Sequence, residues 1–322
     1  MGLDKKTFPF EIDEKTKEQL NNTSIPDENI LVLFISFDLV NSTQFKLEEK
    51  NEWSTVIVYF YDAIKAMVKK EIQGIEIWKY LGDEMVFYYN ISDIEKVYNI
   101  PDELFRIQEN VINKIRENFD KAKILDIKCT IWLAGITRIK PDKIGTRGLS
   151  NGNEVNVHRN IVHMIMDSNN KTMIDFLGPD IDIGFRVAKY SNKRKIALSA
   201  EYAYLLYHLS KPTDLSKIDN KLKIVAFKEL KGVWDGRAYP IIWYYPNWND
   251  NDNSFDYDEH INNDIIRNVS DKKNIEYLEK VFFEAGQKEY IDKFIEVCKT
   301  YNQTAKKVIV VIPEKDAVDF TY

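Results

Sequence analysis

The run Leu31-Val32-Leu33-Phe34-Ile35-Ser36-Phe37 is apolar except for one serine, and it stops at Asp38. A short run this rich in β-branched and aromatic residues predicts a buried strand. Leu39-Val40-Asn41-Ser42-Thr43 then reads as a turn and a helix start. From Trp53 to Glu71 the apolar residues Val56, Phe60, Ile64, Met67 and Val68 recur near helical spacing, and Gly74 closes the segment. Ile75–Tyr80 and Met85–Tyr89 predict two strands joined by the tight turn Leu81-Gly82-Asp83-Glu84. Ile91 to Phe119 predicts a helix with Leu104, Ile107, Val111, Ile112 and Ile115 on one face, interrupted or started at Pro101. Ile124 to Ile139 predicts a long strand, in which Ile127, Cys129, Ile131 and Leu133 alternate with Lys128 and Thr130. The order β-α-β-β-α-β predicts an α+β fold with a ferredoxin-like core.

Residues 1–29 are polar and mixed, and predict an N-terminal arm with a short helix near Glu14 to Asn21. Residues 140–170, with Pro141, Gly145, Gly148 and Gly152, predict an insertion with a short amphipathic stretch at Asn156 to Met166. Gly178-Pro179-Asp180 then marks the start of a helix. Beyond it the pattern predicts a strand at Lys195 to Leu198, a helix at Ala200 to Leu209, and strands at Leu222 to Phe227 and Arg237 to Tyr245. Lys231-Gly232 falls in the turn between the last two. Pro246 to Asp258 is rich in Asn and Asp and predicts a linker. Asn263 to Tyr301 predicts a mostly helical extension, with Ile275, Leu278, Phe282 and Phe283 as its apolar stripe, and Val308 to Ile312 a last strand-like run. The expected organisation is an arm at 1–29, a main domain at 30–245 and an extension at 246–322.

Two aspartates stand where chemistry could sit. Asp38 ends the first strand and Asp83 lies in the hairpin turn. A crossover that lays the first and second strands side by side would bring both to one rim of the sheet. Two such carboxylates repel, and a hard divalent cation between them stabilises the pair. Oxygen-ligated metals so placed serve phosphoryl transfer. Taken singly, each aspartate also suits a helix cap or a turn. Asp182 and Arg186 stand four apart on one helix face, which alone describes a surface ion pair.

Composition narrows the setting. The net charge of −6 over 322 residues gives no electrostatic footprint for a nucleic-acid partner. Two cysteines, Cys129 and Cys298, make neither a disulfide framework nor a zinc pattern. No apolar run approaches the length of a membrane span and the first residues lack a signal-peptide core, so a cytoplasmic protein with no membrane partner is expected.

Phe37-Asp38-Leu39-Val40-Asn41-Ser42-Thr43, Lys79-Tyr80-Leu81-Gly82-Asp83 and the segment Asp175 to Arg186 together resemble the class III nucleotide cyclase catalytic domain, over roughly residues 30 to 245. The resemblance implies that Asp38, Leu39 and Asp83 hold two magnesium or manganese ions. It also implies that Lys79 and Asp175 read the base, and that Asp182 and Arg186 act in the transition state. Asp182 departs from the family, which has Asn at that position. Lys231 or Arg237 would neutralise the triphosphate. Gly178-Pro179-Asp180-Ile181-Asp182-Ile183-Gly184-Phe185-Arg186 looks most like the Pycsar-type pyrimidine cyclases of bacterial antiphage defence. That likeness implies conversion of UTP, favoured over CTP, to a cyclic monophosphate by a head-to-tail homodimer, with the product acting on a separate effector protein. Lys79 and Asp175 by themselves also permit ATP, and a cyclase-like domain without turnover is the reading that Asp182 favours. Trp78, Tyr80 and Phe34 are candidates for the bulk that a pyrimidine pocket needs.

Overall fold

The computed structural model describes residues 29–91, 94–138, 160–166, 172–210, 215–248 and 266–285, with 287–288, 291–292 and 295–296. In chain order the first elements are β1 (Asn29–Val40), α1 (Ser42–Glu48), α2 (Trp53–Glu71), β2 (Ile75–Leu81), β3 (Glu84–Asn90), α3 (Ile94–Asn118) and β4 (Asp126–Arg138). Next come β5 (Asn160–Met166), β6 (Thr172–Leu177), α4 (Pro179–Ala188), β7 (Ile196–Leu198) and α5 (Ala200–Ser210). The last are α6 (Leu215–Asp219), β8 (Leu222–Glu229), β9 (Ala238–Tyr244), β10 (Arg267–Asn268) and α7 (Lys272–Glu284).

β1 pairs antiparallel with β3 on one side and with β4 on the other, and β2 pairs with β3 at the edge. The order β4-β1-β3-β2 is the ferredoxin-like one, so the α+β core stands as expected. One expectation is corrected. The first and second strands are not neighbours, because β3 returns through the tight hairpin and occupies the gap between them. The far side of β4 continues through β7, β9, β8 and β10. The stretch expected to be an insertion is also revised where it is described. Residues 160–166 form β5, which lies parallel to the end of β4 and antiparallel to β6.

The period-two alternation along β1 sends its side chains to two different cores. Leu31, Leu33, Ile35 and Phe37 join Phe87, Ile127, Cys129 and Ile131 in a cluster with Phe60 and Ile64 of α2 and Leu104 and Val111 of α3. Val32 and Phe34 join Val86, Tyr88, Trp132 and Ala134 in a second cluster, with Phe176 of β6 and Ile181 of α4. α2 forms over the expected residues because Val56, Phe60, Ile64 and Val68 bury one stripe, and Lys69 and Lys70 oppose the dipole at its last turn. In α7, Ile275, Leu278 and Phe282 are buried as the stripe requires, whereas Phe283 is 73% exposed and does not belong to it. The arm at 1–28, most of the linker and the run at Val308 to Ile312 lie outside the described residues.

α4 approaches the sheet so closely that it needs a glycine. A Cβ added at Gly184 would stand 2.3 Å from Trp132 Cδ2, and Trp132 is fully buried. Gly→Ala within an open helix stabilises by up to about 1 kcal/mol. Here the sign reverses, because Trp132 is also stacked on Phe34 with ring centroids 5.4 Å apart and cannot yield. Gly184→Ala is expected to destabilise the fold by about 2–3 kcal/mol, as overpacking does. Thermal melting checks this, and an unchanged or higher midpoint would contradict the packing described.

Candidate active site

Beyond Phe34 the same face of β1 carries Ser36 and Asp38. In register, Asp38 stands opposite Glu84 on β3 and opposite Lys128 on β4. Directly opposed residues share a face. Glu84, Asp38 and Lys128 therefore form a polar row across three strands, on the face that is apolar further along. Asp83 joins this row from the hairpin. Gly82 takes a positive φ of 70° at the first loop position, which a glycine adopts without strain. The Tyr61 hydroxyl of α2 donates to the Gly82 carbonyl, and the Leu39 N–H donates to the Asp83 carbonyl at 3.4 Å. The Ser42 hydroxyl donates to the Asp83 carboxylate. A cavity of about 410 Å³ opens here, lined by Asp38, Asp83, Asn41, Ser42, Lys128 and Lys189 among others.

The electrostatics of this rim are tense. Burial pushes the carboxyls of Asp38 and Glu84 above the usual carboxylate range, and Asp83 adds repulsion to both. Lys128 Nζ, 2.8 Å from Asp38 Oδ2, opposes the rise at Asp38. Lys46 Nζ lies 3.5 Å from Asp83 Oδ1. With pKa values raised in the folded state, the folded chain binds more protons than the unfolded one between the ordinary and the raised values. Metal-free stability is therefore expected to fall as pH rises through that window. Melting curves of Asp38→Asn across mildly acidic pH should show a shallower decline than wild type. An equal slope would mean that Asp38 is not strained by its surroundings.

The donors at the rim suit a hard cation. Asp38 and Asp83 offer carboxylate oxygens. The Leu39 side chain is buried in the helix-side core, so only its main-chain carbonyl can serve. Glu84 shares a hydrogen bond with Ser36 and does not line the cavity. Among the described residues no group of three or more His, Cys, Asp or Glu side chains gathers into a metal cage. Two carboxylates match magnesium, which keeps waters and takes substrate phosphates as its remaining ligands.

Lys79 and Asp175 meet in a second place. Lys79 Nζ donates to Asp175 Oδ1 at 2.8 Å, Trp78 Nε1 donates to the same oxygen at 3.2 Å, and the Phe176 N–H does so at 3.1 Å. Of the three candidates for pocket bulk, Phe34 is fully buried, Tyr80 is 48% exposed and packs on Tyr61, and Trp78 alone adjoins this pair.

Asp182, Arg186 and Lys231 line a third place, a cavity of about 440 Å³ with Phe185, Lys189 and Glu229. Arg186 Nη1 lies 3.8 Å from Asp182 Oδ2, whose side chain is 69% exposed. Arg237 is engaged elsewhere, with its Nε 3.1 Å from Glu284 Oε2. The carboxylate cavity and the arginine cavity share Lys189 and are otherwise lined by different residues. Sequence reasoning passed over Lys128, Lys46 and Lys189, and gave no role to Glu84 or to the Ser42 hydroxyl. Alternation along β4 puts Lys128 on the face away from Ile127 and Cys129, but only the strand register reveals Asp38 as its neighbour.

Among the described residues no helix is long and apolar enough to cross a membrane. A scan against protein-family models finds no match. No curated protein sequence matches either. Among solved structures, the chain is similar to the adenylyl cyclase CyaB from P. aeruginosa at 13% identity and TM-score 0.46, over 68% of this chain and 95% of that one. It is also similar to the guanylate cyclase domain of RhGC from Catenaria anguillulae in complex with GTP, at 11% identity and TM-score 0.43, over 68% and 98% of the two chains. Adenylate cyclases from Trypanosoma brucei align at 9% identity and TM-score 0.44, over 70% and 93%. Likenesses this distant bear on neither activity nor substrate, which the residues themselves must carry.

Proposed function

We propose that this chain is a class III nucleotide cyclase that converts a pyrimidine nucleoside triphosphate, UTP or CTP, to its 3′,5′-cyclic monophosphate and pyrophosphate. One observation carries the reading. Two carboxylates share the rim of a ferredoxin-like sheet, while an arginine and a lysine on the same chain line a separate cavity. Each cavity holds half of what phosphoryl transfer requires, and a second copy of the chain supplies the other half.

In the reaction the ribose 3′-oxygen bonds to the α-phosphorus as the bond to the pyrophosphate oxygen breaks. Magnesium or manganese, two ions per site at Asp38, Leu39 and Asp83, would acidify the 3′-hydroxyl and neutralise the phosphates. Asp38 and Asp83 fix that charge at one rim, and Ser42 orients Asp83. Lys79 donates to the base edge and Asp175 accepts from it. Arg186, reaching from the second copy, stabilises charge building on the α-phosphate, and Lys231 beside it faces the triphosphate. Asp182 repels a phosphate where an Asn would not, which favours a place for it beside the ribose over one beside the phosphates. The run Gly178 to Arg186 supports a Pycsar-type role, in which the cyclic nucleotide signals to a separate effector protein during antiphage defence.

Incubation of the purified protein with UTP, CTP, ATP and GTP in turn, with manganese present, tests the proposal. The expected products are cyclic UMP or cyclic CMP with an equal amount of pyrophosphate. Cyclic AMP as the main product would replace the pyrimidine reading with an adenylate cyclase, and no cyclic product from any of the four would refute the cyclase itself.

A further inference from the structure

Trp78 sits in the strand in a way the pattern of β2 does not foretell. Ile77 pairs with Phe87 and Lys79 pairs with Val86, so Trp78 is the extra residue of a β-bulge. Ile77 packs into the helix-side core, whereas Val86 belongs to the second cluster, against which Trp78 packs. The bulge therefore puts two consecutive side chains, Trp78 and Lys79, on one face where a regular strand would put them on opposite faces. Lys79 Nζ consequently lies 3.9 Å above the Trp78 ring, and both side chains donate to the same oxygen of Asp175.

We propose that Trp78 determines the base specificity of the site, as a wall and as the anchor of Asp175. The inference rests on the cyclase reading above. Three donors hold Asp175 Oδ1, and no described residue donates to Oδ2. One carboxylate oxygen is thus left to accept from a base edge, beside the ammonium that donates to it. When Lys79 turns from Asp175 to the base, Trp78 Nε1 and the Phe176 N–H keep the carboxylate in place. The indole cannot swing aside. It packs against Phe34 and Phe176 at centroid distances of 5.3 Å and against Phe185 at 6.0 Å. Indole and purine are both fused five- and six-membered rings. A base edge engaged by Lys79 and Asp175 therefore meets a fixed bicyclic wall where the second ring of a purine would lie.

Two variants separate the two roles. Trp78→Phe keeps a ring and removes the N–H. It is expected to raise KM for the preferred pyrimidine triphosphate by about 10-fold with kcat changed by less than about 3-fold, the loss of one hydrogen bond to a charged group. Trp78→Ala opens a space of the purine's shape and is expected to lower the pyrimidine-to-purine ratio of kcat/KM by at least about 10-fold, through faster turnover of ATP or GTP. If Trp78→Ala does not fold, as melting curves would show, Trp78→Phe alone decides through its KM. A wild-type enzyme that favours a pyrimidine, with the ratio and the KM unmoved in the variants, overturns the role of Trp78 and leaves the cyclase intact. A wild-type preference for a purine overturns the pyrimidine assignment and this role together. Absence of any cyclic product overturns the cyclase reading itself.

Discussion

Mixing an Asp38→Ala chain with an Arg186→Ala chain is expected to restore about a quarter of wild-type turnover, although neither chain alone is active. The expectation follows from where the two residues lie. Asp38 lines the carboxylate cavity, Arg186 lines the other, and Arg186 is held near Asp182 on its own helix. In the head-to-tail homodimer proposed above, each site would take the rim of one copy and the arginine of the other. Random pairing of the two variants gives heterodimers in about half of the molecules, each with one site rebuilt and one doubly damaged. Alanine at either position should leave the fold unchanged, since both side chains lie at the cavity walls and outside the two apolar clusters. Cyclic nucleotide production after co-refolding or subunit exchange is the readout. Failure to recover activity, with heterodimers shown to form, would mean that each site is completed within one chain.

Asp83→Asn should lower kcat by about 1,000-fold, or roughly 4 kcal/mol of transition-state stabilisation. The substitution keeps the shape of the side chain and an oxygen for the Ser42 hydroxyl, so the hairpin held by Tyr61 and Gly82 stays in place. What it removes is one of the two carboxylate charges that line the cavity, the other being that of Asp38. Lys46 loses a half-buried partner 3.5 Å away, and the loss of such a pair moves stability by no more than about 1 kcal/mol. A melting temperature close to wild type with turnover gone is therefore the expected combination. Retained turnover would show that the Asp83 carboxylate does no chemistry and serves the turn alone.

The first strand announces itself because its run of apolar residues is local, and so does the stripe of α2 that covers it. Asp38 is conspicuous for the same reason: it ends a run that nothing else interrupts but Ser36. The pairing of strands was less legible. Placing β3 between β1 and β2 depends on contacts across fifty residues, and local alternation says nothing about which strand lies next. The stretch Asn156 to Met166 reads as amphipathic, but its strand pairing is not local, since β5 joins the end of β4 across a long Gly- and Asn-rich stretch. The row Glu84, Asp38 and Lys128 needs register, and the bulge at Trp78 breaks the very alternation from which a side-chain direction would be read. Phe283 fits the helical spacing of α7 and is nevertheless exposed, since the stripe there is narrower than the apolar residues available to fill it.

The cation proposed at the rim is the point on which the rest depends, and manganese binding reads it without turnover. The free-ion resonance signal would be titrated with wild type, Asp38→Asn and Asp83→Asn, each with a 3′-deoxy triphosphate of the preferred base that cannot cyclise. The account predicts about two bound ions per site in the wild type and the loss of tight binding in both variants. Equal manganese uptake by all three proteins would contradict it.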